Sequence, residues 1–104
     1  MVNVFYWKEA EKDYKKLDGM LKQWVDTAEE RLKIRGSEIG KRLGNTTYSK
    51  LAGFKELKNQ KLGVRLIFKP TKDNQIEIIE IVAIGKRNDE KVFLTAEKRR
   101  KDHL

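Results

Sequence analysis

Two arginines stand where strands would present them to a ligand. Arg65 interrupts the apolar run Gly63-Val-Arg-Leu-Ile-Phe68, and Arg87 closes the run Ile76-Glu-Ile-Ile-Glu-Ile-Val-Ala-Ile-Gly-Lys-Arg87. A guanidinium on a strand gains nothing by burial unless a carboxylate or a phosphate meets it, and its planar fork suits either partner. Phosphate recognition is therefore the first chemistry that these positions suggest. The competing reading is internal, with each arginine paired to an acidic neighbour such as Glu77 or Glu80, or ordering a sheet edge. The run Lys98-Arg-Arg-Lys101 is either a clamp for a polyanion or a solvated helix end that complements the helix dipole.

The charge balance points the same way. Lys and Arg number 24 against 16 Asp and Glu, a formal net charge of +8 at pH 7. Such a surplus favours nucleic acid, an anionic surface or an acidic protein, or else simply keeps the surface soluble. Phosphate attraction carries no sequence information. Without cysteine and with a single histidine, the chain has no disulfide frame, no thiolate zinc site, no cysteine nucleophile and no cluster of metal ligands. No cofactor is indicated: Gly40 and Gly44 do not make a phosphate loop, since the strand–glycine loop–Lys–Ser/Thr order is missing. The N-terminus lacks a basic-then-apolar leader, and no apolar run approaches ~18 residues. The expectation is a soluble, cytoplasmic protein with no membrane partner, and its 104 residues form one domain spanning 1–104.

The elements that must position these residues change period midway. From Lys8 to about Arg35 the apolar residues recur at helical spacing, first Ala10, Tyr14 and Leu17, then Leu21, Trp24, Val25, Ala28 and Leu32. Asp18-Gly19 breaks the two stripes, with the glycine expected to close the first helix in the left-handed conformation, and Gly36-Ser37 ends the second. A short edge strand at Val2 to Phe5 carries little weight. Ser37 to Ala52 reads as a helical turn and then a loop, whose Lys41, Arg42 and Lys50 either reach phosphates or only solubilise. From Phe54 the period is two: strands at Phe54 to Lys58, Val64 to Lys69 and Gln75 to Gly85, turning at Asn59 to Leu62 and again at Pro70 and Asp73-Asn74. Val64, Leu66 and Phe68 should face the helices, with Arg65, Ile67 and Lys69 opposite, and Ile76 to Ile84 should be the best-buried strand. After Asn88-Asp89, which can cap a helix, Lys91 to Lys101 forms a terminal helix with Val92, Ala96 and Arg99 along one side. The expected fold is α+β: an N-terminal helical hairpin packed on a small, mostly antiparallel sheet, with a C-terminal helical tail.

Across about the last half of the chain, Leu51-Ala-Gly-Phe-Lys-Glu-Leu-Lys58, Gly63-Val-Arg-Leu-Ile-Phe68, Val82-Ala-Ile-Gly-Lys-Arg87 and then Val92-Phe93 with Ala96 and Arg99 follow one another. In this order and spacing the sequence resembles the RelE/ParE superfamily of type II toxin–antitoxin systems. The resemblance implies a basic toxin neutralised by an acidic antitoxin. In the RelE branch it implies a metal-independent mRNA interferase, an endoribonuclease that cuts messenger RNA, usually on the ribosome. There the RNA's own 2′-hydroxyl attacks the adjacent phosphate, leaving a 2′,3′-cyclic phosphate and a 5′-hydroxyl. In the ParE branch it implies a non-enzymatic inhibitor of DNA gyrase. A third alternative is an inactive member that only binds antitoxin and operator.

The resemblance assigns Arg65 and Arg87 to phosphate and transition-state binding. A fixed cation there stabilises charge that builds only as the 2′-oxygen attacks. Lys58 matches a RelE-branch lysine seven residues before the strand arginine, while Glu56 stands at the other lysine's position. The reactive group is left open between Glu56, as general base, and Lys58; Glu56 is otherwise an exposed strand residue paired with Lys58 or Lys55. Phe93 replaces a tyrosine frequent in the nucleases, so it can stack on a base but cannot donate a proton. Tyr48, Lys86 or His103 would then supply the proton, unless His103 is an ordinary terminal surface residue. Lys55, Lys86, Phe93, Arg99 and Arg100 complete the expected RNA-binding set.

Overall fold

The computed structural model describes residues 1–44, 49–86 and 91–104. Tyr48, Arg87 and the expected cap at Asn88-Asp89 lie outside the described residues. The chain forms β1 (Val2–Tyr6), α1 (Lys8–Lys15), α2 (Gly19–Arg35), β2 (Lys41–Arg42), β3 (Lys55–Asn59), β4 (Val64–Asp73), β5 (Ile76–Lys86) and α3 (Lys91–Asp102). Short 3-10 turns cover Gly36–Glu38 and Ser49–Leu51. The five strands make one sheet in the order β1-β5-β4-β3-β2. Only β1 runs parallel to its neighbour; the other described pairs are antiparallel. The α+β class and the helical hairpin stand as expected, but a strand comes first. Val2, Val4 and Tyr6 alternate inward from Asn3 and Phe5, and this half-buried pattern is enough to dock β1 beside β5.

The break in the hairpin comes from aspartate, not glycine. Asp18 sits in extended conformation and its carboxylate accepts the Leu21 amide at 3.0 Å, capping α2. Gly19 is the first residue of α2 and is not left-handed; α1 closes at Lys16, whose N–H reaches Asp13 O and Tyr14 O. Gly36 does end α2 with a positive φ of 57°, and a Cβ there would lie 1.8 Å from Glu77 Oε1. That carboxylate takes the Ser37 N–H at 2.7 Å and the Ser37 hydroxyl at 2.6 Å, tying the helix end to β5.

Two cores lie on opposite faces of the sheet. The hairpin side buries Ala10, Val25, Ala28 and Leu32 against Val64, Leu66, Phe68, Ile79 and Ile81. The other side buries Ile67, Val82, Ala83, Leu51 and Phe54 under Val92, Phe93 and Ala96 of α3. The split follows the alternation of β4, with one irregularity: the register with β5 shifts between Ile67 and Phe68, so Val82 and Ala83 both join the α3 side. β4 also runs past Pro70 to Asp73, and the turn falls at Asn74, with φ 58°. β3 reaches only Phe68, so at Pro70 one side of β4 has no strand and the missing donor breaks no ladder there. No helix among the described residues is long and apolar enough to cross a membrane.

Candidate active site on the α3 face of the sheet

Residues opposite one another in a ladder share a face, so the register decides which expected site residues meet. Arg65 stands opposite Lys58 on β3 and Gly85 on β5; Glu56 stands opposite Ile67 on β4 and Lys41 on β2. Ile67 belongs to the α3-side core, so Lys41, Glu56, Lys58 and Arg65 project to that face together. Lys41 and Lys58 are exposed there. Arg65 and Glu56 are not: their side chains retain 12% and 4% of their full exposure.

The two buried groups form an ion pair of unusual quality. Arg65 Nε lies 3.3 Å from Glu56 Oε2, yet the N–H is not aimed for a hydrogen bond, and neither atom has another hydrogen-bond partner among the described residues. The guanidinium carbon sits 4.4 Å from the centroid of the Phe93 ring, a cation–π contact that holds it from below. Buried polar atoms are nearly always hydrogen-bonded, so two facing atoms without such a bond set this pair apart from the other described ion pairs.

Several expected partners are placed elsewhere. Arg65 pairs with neither Glu77 nor Glu80: the first is taken by Ser37, and the second accepts the Trp7 indole N–H at 3.1 Å. Glu56 is buried against Arg65 rather than exposed beside Lys55. Lys55 lies opposite Phe68, on the hairpin side, and its ammonium donates to the Ser37 carbonyl. Lys86 lies opposite Val64, so it too faces away from Arg65. Phe93 is 5% exposed and underlies the Arg65 guanidinium rather than standing open to solvent. Arg99 turns inward, its two terminal nitrogens 2.6 and 3.0 Å from the Asp13 carboxylate. Arg100 stays on the outer face of α3, bordering a surface hollow of about 410 Å³ with Lys50, Lys98 and Lys101.

His103 is docked rather than loose. Its ring stacks on Trp7 at 3.7 Å between centroids, and Nε2 lies 3.2 Å from both Glu9 oxygens. Ten residues along α3 from Phe93 amount to about 15 Å at 1.5 Å per residue, which removes His103 from the Arg65 site. Two features of the site had only weak sequence signals. Lys41 enters through a two-residue strand with no apolar pattern. Gly85 interrupts β5 where a Cβ would press on Val92 at 3.2 Å, so the bare position lets α3 lie close beside Arg65.

This architecture recurs in solved structures. A double arginine-to-alanine variant of the E. coli toxin RelE in its free state superposes with a TM-score of 0.69 at 18% identity, covering 92% of this chain and 94% of that one. The fold is that of RelE. A chain of the toxin–antitoxin complex RelBE2 from Mycobacterium tuberculosis gives 0.64 at 23% identity over 84% and 92%, and the isolated E. coli RelE toxin gives 0.62 at 16% over 93% and 96%. No family model matches the chain, and no curated protein does. The RelE likeness is therefore one of three-dimensional form, carried by very different side chains.

Proposed function

We propose that this protein is the toxin of a toxin–antitoxin pair and cleaves messenger RNA in the cytoplasm, on the ribosome, by attack of a 2′-hydroxyl on the adjacent phosphate. The observation that carries the reading is the Glu56–Arg65 pair, a carboxylate and a guanidinium with unsatisfied atoms on a face that also bears Lys41 and Lys58. The RelE fold and the +8 charge support it. In the step proposed, the 2′-oxygen bonds to phosphorus as its proton passes to the Glu56 carboxylate. Arg65 stabilises the extra negative charge on the five-coordinate phosphate. The bond to the 5′-oxygen breaks, and that oxygen takes a proton from the Lys58 ammonium. The products are a 2′,3′-cyclic phosphate and a 5′-hydroxyl. An acidic antitoxin is the proposed protein partner, by likeness to the RelBE2 toxin–antitoxin complex.

One observation favours a second reading. Glu56 neutralises the arginine that a phosphate would need, as suits a non-enzymatic inhibitor of DNA gyrase better than a nuclease. Mapping RNA 5′ ends after brief induction separates the two. New 5′-hydroxyl ends inside translated codons are expected with the wild type and not with Arg65→Ala, nor with Arg65→Ala/Glu56→Gln, which avoids stranding a buried carboxylate. Intact messages in arrested cells with DNA damage signalling would overturn the nuclease reading in favour of gyrase.

A further inference from the structure

One set of contacts outside the site ties together three elements, α1, β5 and α3, that the sheet alone does not join. β1 ends at Tyr6, opposite Ile81, and the chain adds one more bond, Trp7 N–H to Ile81 O at 2.9 Å. Beyond that point β5 loses its neighbour on this side while its register with β4 slips. Two side chains then take over the ladder's work. Asp13 of α1 accepts the Ile84 N–H at 3.0 Å, and Arg99 of α3 donates to the Val82 carbonyl at 2.9 Å. The same two side chains grip each other through two parallel bonds, at 2.6 and 3.0 Å.

A partly buried pair of this kind is poor evidence for stability, because desolvating both ions offsets much of their attraction. What a bidentate carboxylate–guanidinium pair does fix is geometry. Arg99 shares the inner face of α3 with Val92, Phe93 and Ala96. Pinning Arg99 to both α1 and the β5 backbone therefore sets the rotation and the axial position of the helix. That in turn sets the Phe93 ring, on which the Arg65 guanidinium rests at 4.4 Å.

We infer that Asp13 and Arg99 are positioning residues for Arg65, acting through α3 and Phe93. The inference deepens the nuclease reading and rests on it for its kinetic consequence only. A misplacement of about 1 Å at a reacting group is enough to cost on the order of a hundredfold in rate. Asp13→Ala and Arg99→Ala should each lower the single-turnover cleavage rate by about that factor while the KM for the message changes little, since Lys41 and Lys58 are untouched. Asp13→Asn keeps one acceptor oxygen, which can serve both the Ile84 amide and one arm of Arg99 because both bond the same aspartate oxygen, and should recover much of the loss. The second readout is the Arg65 Nε–H resonance in proteins carrying 15N-labelled arginine. It should move in Asp13→Ala and return towards its original position in Asp13→Asn.

A folded Asp13→Ala protein with wild-type cleavage and an unmoved Arg65 resonance would overturn the inference. If Asp13→Ala does not fold, Arg99→Lys, which loses the two-armed grip, takes its place as the disrupted variant and Asp13→Asn remains the rescue. If the wild type cuts no RNA, the nuclease reading fails, and the Arg65 resonance alone then decides whether the clamp positions the arginine.

Discussion

The two faces of the sheet treat their polar groups differently. On the hairpin side the described polar groups near the core are closed within the protein. The Tyr6 hydroxyl donates to Glu29 at 2.7 Å, and the Tyr14 hydroxyl donates to Asp26 at 2.8 Å. Burial and the Glu29 bond push the Tyr6 hydroxyl well above the usual phenol range, while the Asp26 bond is the main cause that raises Tyr14. Both therefore stay neutral donors. On the α3 side the most buried ionised pair keeps two atoms without hydrogen bonds, and the surrounding lysines face outward. One face is finished as a core; the other retains unspent polar capacity of the kind that binding sites keep.

That contrast breaks most visibly if a hairpin-side residue is removed. Phe68 is fully buried in the hairpin-side core, so Phe68→Ala should cost about 3–5 kcal/mol of stability in a denaturant titration. On the nuclease reading, the protein that remains folded should still cleave at close to the wild-type rate per molecule. A large fall in the per-molecule rate would mean that the hairpin core also shapes the site, and the division of labour would fail.

Glu56→Gln sharpens the other half of the comparison. The substitution keeps the shape, removes the proton acceptor and leaves Arg65 with its charge uncompensated. If Glu56 is the base, cleavage of a message on programmed ribosomes should fall on the order of a hundredfold or more. Binding to an analogue with 2′-deoxyribose at the cut should at the same time tighten, because a negative charge beside the phosphate has gone. Unchanged cleavage with tighter binding would make Glu56 only a counter-ion and move the base elsewhere.

How much of this was legible depended on the range of the interaction. The alternation Val64, Leu66, Phe68 is enough to say which face of β4 the hairpin helices cover, because a period of two is a local property; that α3 covers the other face is not in it. The stop at Gly36 was equally local. The break at Asp18-Gly19 was read at the right place with the wrong agent, since both residues are helix punctuation and only the chain's path chooses between them. Pro70 suggested a turn because a proline breaks a ladder; that β3 is too short to reach it was not visible. The site itself depended on register. Lys55 and Lys58 differ by three positions and so take opposite faces, and Glu56 meets Arg65 only because the β3–β4 ladder is set at Glu56 opposite Ile67. The Asp13–Arg99 clamp spans 86 positions, and no spacing rule announces it.

The smallest effect concerns the end of α3, which both faces share through Trp7 and Glu9. The Glu9 carboxyl is held below its ordinary value of 4.5, first by its own backbone N–H near the start of α1 and then by His103. A carboxyl that ionises more easily when folded stabilises the fold above its unfolded pKa, and that contribution disappears as pH falls through the folded value. Melting temperature should therefore drop slightly more steeply on acidification below pH 4.5 in the wild type than in Glu9→Gln. Because the backbone contribution is the larger, His103→Ala should retain most of that slope. If His103→Ala removed it entirely, the histidine contact would be the dominant anchor of the helix end, and the α3 face would be held at two points instead of by the Asp13–Arg99 clamp.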